Sequence, residues 1–183
     1  MKNVLFIFLF LVGVTSYGFG KNVRLHGSLK EFGTNVVSMD FDGAAGEISK
    51  EWSQKITVNK DGSFEFSFDL KKPGYYSVGR NTLYLTPGDD MEVNLGTSQP
   101  QSWFKGQGAD VNTYLKGRLF PKAGSFLEAG RNVKGSFEET KKYIDDRAAQ
   151  REKELKALPN ASKEFVELEM MRIKADVANS YMA

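Results

Sequence analysis

The chain contains no cysteine. Thiol nucleophiles, Cys-x-x-Cys redox pairs, disulfides and lipidation at a lipobox cysteine are therefore excluded, and stability has to come from packing alone. Histidine is nearly absent as well, with His26 standing alone between Leu25 and Gly27. Zinc sites need several nitrogen or sulfur ligands at set spacing, and one histidine cannot supply them. A Ser-His-Asp triad would depend on His26 with no Gly-x-Ser-x-Gly elbow beside it, so His26 reads as an ordinary strand residue. An excess of either charge sign is also missing: 25 Lys and Arg face 23 Asp and Glu, a formal net charge of +2. The cations are interleaved with acids rather than gathered into a stripe, which argues against nucleic-acid binding. After Gly20 no apolar run is long enough to span a bilayer.

What is present begins with an export signal. Lys2 forms a short positive segment, Val4 to Val14 an apolar run, and Ser16, Gly18 and Gly20 are small residues near a cleavage point, so residues 1–20 read as a signal peptide. The mature chain is expected in the periplasm or otherwise exported, without stable membrane insertion.

From Val23 to Lys105 apolar and polar residues alternate between closely spaced turn residues. The pattern predicts strands over Val23–Leu29, Val36–Phe41, Lys55–Asn59, Ser63–Leu70, Tyr75–Gly79, Thr82–Thr86, Met91–Leu95 and Trp103–Lys105. The clearest is Ser63–Leu70, where Phe64, Phe66, Phe68 and Leu70 share one face and Glu65, Ser67 and Asp69 the other. Asp61-Gly62 supplies the tight turn before it, and Pro87-Gly88 suits the centre of a type II turn. Eight short strands at hairpin spacing predict an α+β protein: an antiparallel β-sandwich over 21–108 followed by a small helical region over 109–183.

In the helical region Val111, Leu115 and Leu119 recur every four residues, predicting a helix over Ala109–Leu119. Residues 121–135 read as an irregular connection with a short helix around Phe126 to Ala129. Ser136 with Glu139 forms a capping box for a helix to about Leu158, whose narrow stripe is Phe137, Ile144, Ala148, Leu155 and Leu158. Pro159 breaks it, and Asn160 or Ser162 can cap the next. There Val166, Met170, Ile173, Val177 and Tyr181 form an amphipathic stripe, with Phe165 and Leu168 widening it. This helix runs almost to Ala183 without a stop signal, as expected if more chain follows.

No residue pattern assigns a catalytic, cofactor-binding or metal-binding site, and no cofactor is implied. The EF-hand pattern fails in Asn59-Lys60-Asp61-Gly62, because the position of its bidentate Glu falls on Phe68. Gly106-x-Gly108 lacks the Lys-Ser/Thr of a phosphate loop and reads as a hinge from sheet to helix. Asp40 with Asp42, and Asp89 with Asp90, are close in sequence, which alone does not make an acid-base pair. Trp52, Tyr76, Tyr84 and Trp103 are the candidates for contact with a ligand or partner, such as a glycan or peptide. Tyr75 beside Tyr76 must point to the opposite face of the same strand, so one of the two belongs to core or rim.

Taken in order, these features resemble the amino-terminal region of exported thioredoxin-like (TlpA-type) thiol:disulfide oxidoreductases of Bacteroidetes, a domain of unknown function. The resemblance rests on the signal peptide, the strand Val23–Leu29, the hairpin Asp61-Gly62-Ser63-Phe64-Glu65-Phe66, Pro73, Tyr84-Leu85-Thr86-Pro87-Gly88-Asp89 and Phe104-Lys105-Gly106-Gln107-Gly108, continuing through Leu115 into paired charged helices. It implies that the redox step belongs to a following thioredoxin-like domain, which this chain does not contain. It further implies a non-catalytic accessory role: positioning that domain, holding a protein client, or forming a homodimer through the carboxy-terminal helices. A stand-alone binding module for glycan or peptide is the alternative.

Overall fold

Period-two alternation makes the strands, and each expected strand forms within one or two residues of its expected ends. They are β1 (Lys21–Ser28), β2 (Val36–Phe41), β3 (Ser53–Thr57), β4 (Ser63–Leu70), β5 (Gly74–Val78), β6 (Asn81–Leu85), β7 (Asp90–Asn94) and β8 (Trp103–Gln107). The computed structural model describes residues 21–42, 53–98, 101–119 and 124–183. The signal peptide at 1–20 and Trp52 lie outside the described residues.

The strands pair into two four-stranded sheets, ordered β4-β1-β7-β8 and β3-β2-β5-β6. Their facing sides bury Val23, Leu25, Met39, Ile56, Val78, Leu83, Met91 and Val93 in one apolar core. The sandwich is not wholly antiparallel, because β1 and β7 pair in parallel. Alternation fixes which residues face inward but not which strands become neighbours, and the long excursion between β1 and β7 is what a parallel pair needs. Gly27 makes the pair possible: it adopts φ +135, and a Cβ there would run into the Val93 carbonyl. At the sheet edge, β4 buries Phe64 and Leu70 fully but Phe66 and Phe68 only partly.

The turns follow their residue chemistry. Asp61 Oδ1 accepts from the Ser63 amide at 2.9 Å and the Ser63 hydroxyl at 2.7 Å, with Gly62 at φ +88; the turn is as tight as expected, but it carries the chain from β3 in one sheet to β4 in the other instead of closing a hairpin. At Thr86-Pro87-Gly88-Asp89 the Asp89 amide donates to the Thr86 carbonyl at 3.0 Å and Gly88 takes φ +95, as a type II turn requires.

Three α-helices follow among the described residues: α1 (Ala109–Leu115), α2 (Phe137–Lys156) and α3 (Lys163–Met182). Helix α1 stops short of Leu119, because the Lys116 and Gly117 amides turn back to the Thr113 and Tyr114 carbonyls in a tight last turn. Ser136 and Ser162 are the N-caps of α2 and α3, accepting from the amides of Glu139 at 3.2 Å and Phe165 at 3.1 Å. The Phe126–Ala129 segment is not helical: Glu128 and Ala129 take φ +48 and +56, so the chain there reverses in turns. Those turns are fastened, since Phe126 and Leu127 are buried and the Phe126 amide donates to Ser180 Oγ at 2.8 Å.

The helix stripes also differ in detail from the apolar pattern. In α3 the buried line is Phe165, Glu169, Ile173, Asp176 and Ser180, with Val166, Met170 and Val177 flanking it at partial burial. In α2 it is Ile144, Ala148, Arg151 and Leu155, whereas Phe137 in the first turn is 72% exposed. Polar residues displace apolar ones from both lines because they pair inside the protein.

Candidate functional site

The sheet β3-β2-β5-β6 is covered on both sides. Along β5, Tyr76 and Val78 enter the sandwich core while Tyr75 points the other way, towards the helices. Along β6, Leu83 and Leu85 face the sandwich and Tyr84 the helices. Phe165, fully buried at the start of α3, lies 4.8 Å from the Tyr84 ring, 6.3 Å from Tyr75 and 6.2 Å from Tyr114 of α1. These separations suit attractive aromatic packing. Edge strand β6 needs a partner for its outer backbone groups, and Asn112 of α1 provides one. Its Oδ1 accepts from the Tyr84 amide at 2.8 Å, and its Nδ2 donates to the Tyr84 carbonyl at 3.0 Å. One side-chain amide thus continues the β-ladder and locks α1 to the sheet.

Charges complete this seam. Glu169 is 1% exposed, accepts from the Tyr75 hydroxyl at 2.8 Å and lies 3.7 Å from Arg118 Nη2. Arg118 also stacks over the Tyr75 ring at 4.8 Å. One turn further along α3, Arg172 pairs with Asp176 at 3.2 Å and donates to the Leu119 carbonyl at 3.4 Å. Burial pushes the Asp176 carboxyl up to about 6 against the pull of Arg172, and burial holds Arg172 below the usual arginine range. Arg151 of α2 covers the Tyr114 ring at 3.8 Å and donates to the Tyr114 carbonyl at 3.3 Å. Two acids inside an apolar helix stripe, at positions in phase with Phe165 and Ile173, were the signal for this network. The apolar stripe of Val166, Met170, Ile173, Val177 and Tyr181 does not include them.

Among the described residues, three concavities stand out along the helices. The largest, about 920 Å³, lies between the β5–β6 turn, the end of α1 and the face of α2. Arg80, Lys116, Arg118, Arg131 and Arg147 line it, against a single acid, Glu128. The second, about 380 Å³, opens between the Pro87-Gly88 turn, the Gly106–Gly108 hinge and the α2–α3 turn. Asp89 is buried at its wall, and its Oδ2 accepts from the Thr86 amide at 2.8 Å. Desolvation raises the Asp89 carboxyl to about 6, opposed by that hydrogen bond. The third, about 440 Å³, is bordered by Val133, Phe137, Ile144 and Tyr181. It is the least polar of the three, with Val133, Phe137 and Tyr181 exposed.

The aromatic candidates do not converge. Tyr76 lies in the sandwich core and Tyr84 in the seam, each under a tenth exposed. Trp103 is 38% exposed on edge strand β8, with Lys105 Nζ 4.6 Å above its ring. Strand alternation separates the paired carboxylates: Asp89 points inward, while Asp90 is exposed and lies 3.6 Å from His26. Among the described residues, no group of three or more His, Asp or Glu could hold a metal ion, and no helix is long and apolar enough to cross a membrane. Comparison with family models, curated proteins and solved structures finds no match.

Proposed function

We propose that the chain is a non-catalytic accessory module of an exported envelope protein, the amino-terminal part of a TlpA-type thiol:disulfide oxidoreductase. In this reading the sandwich and helices act as one rigid mount for a thioredoxin-like domain or protein client. The observation that carries it is the apolar cleft of Val133, Phe137 and Tyr181, which stand 54, 72 and 45% exposed. A contiguous apolar surface on an otherwise charged helical face suits a protein partner. The helices that form it are anchored to the sheet by the seam of Tyr75, Tyr84, Tyr114 and Phe165 at the start of α3.

The test is to supply a TlpA-type thioredoxin domain in trans and follow association by sedimentation alongside insulin reduction. The chain alone is expected to give no turnover, and it should associate with the domain in a way that Phe137→Asp abolishes. Turnover by the chain alone, or association unaffected by Phe137→Asp, would overturn the reading. Sedimentation of the chain by itself across a concentration series reports on the homodimer.

A further inference from the structure

We propose that the cleft between the β5–β6 turn, α1 and α2 binds a small, multiply charged oxyanion, of the polyphosphate or polycarboxylate class. The site shares no lining residue with the apolar cleft and does not depend on the partner-docking reading.

The argument starts from local charge balance. The whole chain is nearly neutral, yet this one concavity gathers five cations against one acid. Pairing inside the cleft does not remove the excess. Arg131 takes up Glu128 at 2.8 Å, and Glu169 faces Arg118 from the seam at 3.7 Å. Lys116 and Arg147 have no ion pair within 4 Å among the described residues. Arg118 adds its charge from deeper in the wall. Its side chain is 11% exposed, and its Nε and Nη1 atoms are buried without a hydrogen-bond partner among the described residues. Those two atoms are closed to solvent and the guanidinium lies over the Tyr75 ring, so the donors that can meet a ligand are those of Lys116 and Arg147.

A bound oxyanion would pair with both. Phosphate and carboxylate oxygens accept several N–H bonds at once, and arginine forks fit both. The walls between the cations carry hydroxyls from Thr97, Ser98 and Ser125, which suit the remaining oxygens. Cations in a concave, partly desolvated wall also focus potential more strongly than the same charges on a convex surface. The size of the excess calls for more than one negative charge. Its confinement to one cavity, with no basic stripe beyond it, favours a compact ligand over a nucleic acid or membrane surface.

The experiment is calorimetric titration of the full chain with pyrophosphate and with citrate, at low and high salt. It is repeated on Lys116→Ala/Arg147→Ala and on a control, Lys163→Ala, whose side chain is 90% exposed and far from the cleft in sequence. Thermal melts of each variant confirm folding. One-site, salt-sensitive binding of at least one anion is expected, weakened about tenfold or more in the double variant and unchanged in the control. Preference for pyrophosphate assigns a phosphoryl ligand, and preference for citrate a carboxylate. Three results would overturn the proposal: no saturable binding of either anion, equal binding by wild type and the double variant, or an equal loss in Lys163→Ala.

Discussion

Asp89→Asn should make the protein more stable at neutral pH, and the gain should vanish in acid. Asp89 is 4% exposed, and desolvation lifts its carboxyl from 3.8 to about 6. A native value above the unfolded one means that the native state holds the proton more tightly. The carboxyl therefore costs no stability below about pH 4; the cost grows as pH rises from the unfolded to the native value and is complete above it. Two pH units correspond to about 3 kcal/mol, and water in the adjoining cleft cuts this to about 1–2 kcal/mol. Asparagine keeps an oxygen for the Thr86 amide, which now donates to Asp89 Oδ2 at 2.8 Å, but carries no charge to desolvate. Urea unfolding of wild type and variant between pH 4 and 8 measures the difference directly. A gap of about 1–2 kcal/mol in favour of the variant at pH 7.5, closing towards pH 4, is expected. A pH-independent gap, or a less stable variant at pH 7.5, would refute the reasoning and show that the charged hydrogen bond to Thr86 outweighs desolvation.

Phe165→Ala removes a fully buried ring touching three tyrosines and should cost about 3–5 kcal/mol, roughly 10 °C in Tm. If sheet and helices unfold as one unit, circular dichroism and Trp fluorescence will report the same lowered transition, and two separated transitions would contradict that coupling. Tyr114→Phe deletes a buried hydroxyl without a hydrogen-bond partner among the described residues, from a phenol whose pKa burial raises to about 12. Urea unfolding should find it neutral or stabilising by about 1 kcal/mol, and a loss above that would reveal a partner for the hydroxyl. Gly27→Ala forces a side chain into φ +135 and onto the Val93 carbonyl, and should cost about 3 kcal/mol or more. A variant with the wild-type midpoint would argue against the parallel β1–β7 pair.

Much of the architecture was legible because local chemistry decides it. Ser63–Leu70 could hardly pack otherwise than with its phenylalanines inward, and Asp61-Gly62 and Pro87-Gly88 encode their turns in the residues themselves. Ser136 and Ser162 announce the helix starts for the same reason. What sequence left hidden depends on meetings between distant residues. The parallel pairing of β1 with β7 hangs on the closeness of Gly27 and Val93. Glu169 and Asp176 look like surface charges until Arg118 and Arg172 arrive from elsewhere in the chain. The basic cleft is assembled from Arg80, Lys116 and Arg147, which have no sequence relation to one another. The aromatic candidates misled for a related reason: tyrosine suits a binding platform and a core with a polar edge equally well.

Tyr75 and Tyr76 are neighbours on one strand but belong to different cores, and the two-residue turn Gly79-Arg80 leads the chain straight back to Tyr84 under the helices. This makes the β5–β6 hairpin an unforgiving place for a change of length. A single residue inserted or deleted there and passed on into β6 would turn that strand over, sending Tyr84 into the sandwich and Leu83 and Leu85 against Phe165. Diversification by insertion should therefore spare this hairpin and concentrate where one face of a strand is already free, as at the Asp61-Gly62 turn beside the sheet edge.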